Sequence, residues 1–212
     1  MDLPKMLGNS EATKERLNQI ELPHMVPLTE FVRKLRSRMG SDSTIPYFDP
    51  WDGGIDAEVL FLLEAPGPKA RDSGFISRNN PDESAKNFYE LNMEAGIDRK
   101  RTAVWNVVPW YIGSGSRIRA ANSSDIEEGI QSLGELIRLL PKLRAIVLVG
   151  RKAQRAKSTI ANVAPRLTVF SCPHPSPLFV NRRTDNRGLI LAELCRVQSF
   201  LDEHDAHERP TY

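Results

Sequence analysis

Residues 172–179 read Cys-Pro-His-Pro-Ser-Pro-Leu-Phe, and this is where the chain is best placed to do chemistry. Prolines at 173, 175 and 177 fix the backbone, so His174 is presented rigidly and Leu178 projects beyond it. A histidine ring held this way can donate a hydrogen bond or exchange a proton near neutral pH. A lone histidine is also often no more than a surface or core residue. Ser176 invites comparison with a hydrolase nucleophile, but no glycine-flanked elbow surrounds it. Just downstream, Asn181, Arg182, Arg183 and Arg187 form a basic cluster that can meet phosphates or simply be solvated.

Three further segments carry polar groups of the right kind. Glu64-Ala65-Pro66-Gly67-Pro68 is a stiff turn whose glycine allows backbone amides to approach a ligand closely; its bland alternative is a strand-to-helix connection. Asn106 stands within the run Trp105-Asn106-Val107-Val108-Pro109-Trp110. Asn is depleted in strands, so here it either satisfies nearby backbone or reads a ligand through its paired donor and acceptor. Gly150 is followed by Arg151, Lys152 and Gln154, where a helix start and two cations could receive phosphate.

Apolar runs from Glu58 to Leu63, Ala103 to Val108, Ala145 to Val149 and Leu167 to Ser171 predict four buried strands. Helical patterns run from about Glu83 to Ala95, Ser124 to Leu140, Lys152 to Asn162 and Leu189 to Leu201, with another near Thr29 to Arg38. The alternation predicts an α/β fold of three layers, α/β/α, around a short four-stranded parallel sheet. Such sheets bind ligands at the carboxyl ends of their strands, and each of the four segments above follows a strand.

With 212 residues and 40% hydrophobic content, the chain can build one core, and a single domain over 1-212 is expected. The polar ends, about 1-20 and 202-212, are expected to fray. A net charge of +2 permits nucleic-acid binding without arguing for it. Two cysteines, Cys172 and Cys195, cannot supply a zinc knuckle or a four-cysteine iron-sulfur site, so no metal and no cofactor is expected. Without a signal-like start or a bilayer-length apolar run, the reading is a cytoplasmic protein with reduced thiols and no membrane partner.

His174-Pro175-Ser176-Pro177-Leu178 resembles the second signature, HPSPL, of the uracil-DNA glycosylase superfamily. Glu64-Ala65-Pro66-Gly67 resembles the GEAPG first signature of its iron-sulfur branch, with Leu63 in place of the first glycine. Asn106 falls where the superfamily carries its uracil-reading Asn, and Phe75 follows the first signature much as the stacking Phe does. The resemblance runs from about Glu58 to Arg187 and implies a uracil-DNA glycosylase-like fold. It departs in three places. The cluster cysteines are missing; Ala65 stands where the founding branch has a water-supporting Asp; and Gly67 stands where that branch excludes thymine with a Tyr.

The resemblance implies a monomer acting on uracil-containing DNA, single- or double-stranded, by base flipping. In that scheme Phe75 stacks on the base, Asn106 selects it, His174 donates to O2, and water sits near Ala65, Pro66 or Glu64, with Asp72 as another possible acid. Leu178 enters the vacated stack, Ser176 contacts the DNA, and Arg151, Lys152, Arg182 and Arg183 neutralise phosphates. Two other readings stay open. One is a non-catalytic damaged-DNA-binding protein, which Ala65 favours. The other is a free-nucleotide binder using Gly150 and its cations.

Overall fold

The computed structural model describes residues 2–40, 44–114 and 117–208. Eight helices are described: α1 (Ser10–Leu17), α2 (Val26–Met39), α3 (Pro68–Ser73), α4 (Glu83–Glu94), α5 (Ser123–Arg138), α6 (Lys157–Val163), α7 (Pro177–Val180) and α8 (Asn186–Glu208). The strands are β1 (Tyr47–Phe48), β2 (Val59–Leu63), β3 (Phe75–Ile76), β4 (Thr102–Asn106), β5 (Gly113–Ser114), β6 (Arg117–Ile118), β7 (Ala145–Val149) and β8 (Thr168–Cys172).

The central sheet has the order β4-β2-β7-β8, and every pairing in it is parallel. In-register neighbours share a face, so alternation sorts the side chains into two sets. Phe61 is aligned with Val104 and Val147, and Val147 with Phe170. On this face Phe61 meets Phe88 of α4 edge-on, with centroids 5.0 Å apart, and Phe170 meets Phe200 of α8 at 5.5 Å. The opposite face carries Trp105, stacked on Phe48 at 3.9 Å and tilted against Phe31 of α2 at 6.1 Å. Helices α2 and α5 touch each other, as do α4 and α8, which accounts for the two outer layers. The four apolar runs and the three-layer architecture are therefore as expected.

Local chemistry sets the helix starts. Asp82 caps α4 by accepting from Ala85 N–H, and Asn122 with Asp125 forms a reciprocal capping box on α5. The segment expected as one helix from Lys152 to Asn162 is broken instead. Ala153–Ala156 is a 3-10 turn, and α6 starts only at Lys157.

The ends differ from expectation as well. The sequence predicts a polar, frayed end before residue 20, yet α1 packs down because Arg16 is buried against Asp49 and Leu7 and Ile20 join Phe75 in a small apolar cluster. A polar sequence becomes an anchor when its charge finds a buried counter-ion. At the other end α8 runs past 202 to Glu208, and Asp205 pairs with Arg101. The final residues, 209–212, lie outside the described residues. The short sheets β1-β3 and β5-β6 had no counterpart in the sequence reading.

Candidate active site

All four chemistry-bearing loops leave the carboxyl end of the central sheet, where they enclose two adjoining cavities. The first, of about 470 Å3, is lined by Glu64 to Ala70, Ile76, Phe88, Val104, Asn106 and His174, among others. Its neighbour, of about 570 Å3, is lined by Val149, Gly150, Arg151, Lys152 and Arg155. Glu64 and His174 belong to both walls.

Asn106 is the last residue of β4 and 4% exposed. Alternation puts it on the same face as Val104, so it points into the first cavity beside Phe88. Its Nδ2 is buried and has no hydrogen-bond partner among the described residues. A buried amide donor left unpaired costs about 1–3 kcal/mol, so a ligand carbonyl that pairs with it recovers that cost.

His174 owes its place to several anchors. Gly150 N–H donates to Cys172 O at 2.8 Å, and Asn87 of α4 holds the loop by donating to Pro175 O at 2.9 Å. Gly150 itself has φ +88°, and a Cβ there would lie 3.1 Å from that of His174. Burial pushes the imidazole below its ordinary pKa, with Glu64 and Asp82 offsetting only part of the effect. The ring is accordingly neutral at pH 7, with one N–H to donate.

Glu64 is fixed by Ala121, whose N–H donates to its Oε1 at 2.7 Å. Val107 N–H and Val108 N–H bind the carbonyls of Leu63 and Glu64, both at 2.9 Å, which ties the Glu64-Ala65-Pro66-Gly67 turn to β4. A Cβ on Gly67 would meet nothing within 4 Å, so the wall is open at that point. Asp72 pairs with Arg71 and is exposed, and it does not line either cavity.

The structure does not bring Phe75 to the cavity. In β3, consecutive side chains face opposite ways, so Phe75 packs with Leu7, Ile20 and Tyr47 while Ile76 takes the cavity wall. The apolar surface is supplied instead by Ile76 and Phe88. Nothing in the sequence distinguished Phe88 from an ordinary core position on an amphipathic helix.

Segment 77–80 forms another part of the wall, and it rests on buried ion pairs missed from sequence. Asp49 pairs with Arg16 and Arg99; Asp52 pairs with Arg99 at 2.8 Å and lies 3.7 Å from Arg78. Ser77 Oγ donates to Asp49, and Arg78 donates to Thr102 Oγ1 at 2.6 Å. Burial alone would raise the Asp49 pKa, but Arg99 and Arg16 outweigh it and hold the carboxylate low.

At the rim, Ser176 caps α7 by accepting from Phe179 N–H, and the next turn lifts Leu178 into solvent with 84% of its surface exposed. Arg182, Arg183 and Arg151 are exposed nearby in sequence to these loops. Lys152 is more occupied than expected, since its Nζ donates to Ala121 O at 3.0 Å. The expected helix start behind Gly150 is a 3-10 turn, so it offers phosphate no α-helical N-terminus.

The family model of the uracil DNA glycosylase superfamily matches residues 50–195. No curated protein matches the chain. Among solved structures, the chain is similar to wild-type SMUG2 from Pedobacter heparinus, with a TM-score of 0.56 and 12% identity over 86% of each chain. It is also similar to a candidate uracil DNA glycosylase from Methanosarcina acetivorans, with a TM-score of 0.48 and 16% identity over 68% of this chain and 92% of that one. The likeness to SMUG2 is one of fold. The family match spans both cavities, from the Glu64 turn through Asn106 and Gly150 to the His174 loop, and the chain belongs to the uracil DNA glycosylase superfamily.

Proposed function

We propose that this protein removes uracil from DNA by flipping the nucleotide into the first cavity and hydrolysing its N-glycosidic bond, leaving an abasic site. The observation that carries the reading is the buried, unpartnered Nδ2 of Asn106, aimed into a cavity that also holds a neutral histidine. The Asn106 amide donates to uracil O4 and accepts from N3–H, a pattern that cytosine reverses. Ile76 and Phe88 cover the faces of the base in the role first expected of Phe75.

As the bond breaks, charge grows on the leaving base, and His174 N–H stabilises it at O2. Glu64, held by Ala121, and the backbone at Ala65 and Pro66 position the water that attacks the sugar. Leu178 fills the gap left in the stack. Arg151, Lys152, Arg182 and Arg183 meet phosphates, which makes binding fall steeply with salt. The protein acts as a monomer in this scheme.

An oligonucleotide with one uracil, treated with enzyme and then alkali, tests the proposal. Cleavage that collapses in His174→Ala and Asn106→Ala is the expected result, and a thymine strand reads out the opening at Gly67. Tight DNA binding with no cleavage of any strand would refute the enzyme and favour a damage-binding protein, the role that Ala65 leaves open.

A further inference from the structure

The hairpin β5-β6 has no part in the chemistry above, yet it forms one edge of the base cavity through Ile118 and Arg119. On its other side lies a separate groove of about 560 Å3 between Trp110, Tyr111 and the hairpin's own Arg117, Ile118 and Arg119. The two hollows share Ile118 and Arg119, so they adjoin one another across these two residues.

The hairpin packs closely around Gly113. Gly113 has no room for a Cβ, which would lie 2.3 Å from both the Tyr111 hydroxyl and Arg117 O. Tyr111 therefore folds over the strand and donates to Arg117 O at 3.3 Å. Two half-buried aromatic residues, Trp110 and Tyr111, form one side of the groove, with the Arg71 guanidinium already over the Tyr111 ring at 4.9 Å. Arg117 is exposed, and Arg119, also exposed, is steadied by Asp125 at the start of α5. From the sheet side, Glu64 and Lys152 both bind Ala121, which pins the hairpin's exit to the catalytic wall.

Aromatic faces beside exposed guanidinium groups are complementary to a nucleobase and its phosphate. We infer that this groove is a second nucleotide subsite, which takes the neighbour of the flipped nucleotide on the same strand. The inference rests on the glycosylase reading for the identity of the strand, and not for the chemistry of the groove. Stacking there supplies affinity that is largely indifferent to which base the neighbour is. It also holds the strand after the target has left the stack.

The test is a binding cycle, free of turnover, by fluorescence anisotropy. The probe is a short single-stranded oligonucleotide with a tetrahydrofuran spacer in place of the uracil nucleotide. Further probes replace the 5′ or the 3′ neighbour with a second spacer. Removing the neighbouring base on one side should weaken wild-type binding about tenfold. The double variant Arg117→Ala/Ile118→Ala, altered only at exposed positions, should weaken binding to the first probe by a similar factor. The two losses should not add, since they remove the same contact.

A quench of Trp110 emission on binding, absent in Trp110→Phe, is the second expected sign. Additive losses, or no effect of either neighbour, would overturn the subsite. Non-additive losses in a protein that leaves uracil strands uncut would keep the subsite and reject the glycosylase reading. Cutting without coupling would do the reverse.

Discussion

The Cβ that Gly150 lacks would lie 3.1 Å from the Cβ of His174, closer than the histidine can tolerate without moving. Gly150→Ala should therefore lose at least tenfold in kcat/KM, because small misplacements of a reacting group are costly. The same change also strains a backbone at φ +88°, by about 1–2 kcal/mol. Gly96→Ala separates the two effects, since Gly96 has φ +75° and no atom within 4 Å of an added Cβ. It should show the stability loss alone; equal activity losses in both variants would reject the contact.

In the proposed function Asn106 trades stability for recognition. Asn106→Leu removes the orphaned Nδ2 and fills the site with an apolar group of similar size. Thermal unfolding should show no loss of stability, and a gain of up to about 1 kcal/mol. Uracil excision should fall about a hundredfold or more. A marked drop in Tm would mean that the amide has a structural role instead.

His174 is held below the ordinary histidine value of 6.5 by burial. The neutral ring is favoured in the folded state, so its stability contribution is intact above that value and is lost as pH falls below it. The rate should follow the same direction. A pH profile of kcat/KM should stay level through 6.5 and turn down only at lower pH, and His174→Gln should abolish that turn. An inflection above 6.5 that vanished with the histidine would contradict this assignment.

Leu178, 84% exposed, has almost no packing to lose. Leu178→Ala should leave the Tm unchanged, within about 0.5 kcal/mol of stability. Its cost should appear with duplex DNA, where a stack must be propped open, and should be small with single strands. Equal effects on the two substrates would remove Leu178 from the wedge role.

Asp49 sits between Arg16 and Arg99. Asp49→Ala leaves the buried Arg16 guanidinium without its carboxylate, while Arg99 keeps Asp52, and should destabilise the fold by about 3–5 kcal/mol, as read by denaturant unfolding. A loss under 1 kcal/mol, by comparison with that range, would show that water reaches the network.

The sheet was legible because a buried parallel strand needs a continuous apolar run, and Val59–Leu63, Thr102–Asn106, Ala145–Val149 and Thr168–Cys172 each lie within a residue or so of such a run. The loops after them were legible for the same reason, since strand direction fixes which ends meet. Phe75 was misread because its position after the Glu64 turn says nothing of side-chain direction; the two-residue pairing of β3 with β1 decides that, and it turns Ile76 inward. Arg16 looked like part of a polar end because its partner, Asp49, lies far along the chain. Phe88 and Ile118 were silent because one looks like core and the other like loop.

Glu64 and His174 stand in a party wall between two rooms. A partition cannot be rebuilt for one tenant without disturbing the other, so these two positions carry a double constraint. Under the proposed function, variation in base preference has its freest outlet in residues that face the first room only, such as Gly67, Ile76 and Phe88. Under the same reading, variation in grip on the strand has its outlet in Arg151 and Arg155, which face the second. The arrangement would then let target choice and strand affinity drift separately around a pair of side chains that must stay still.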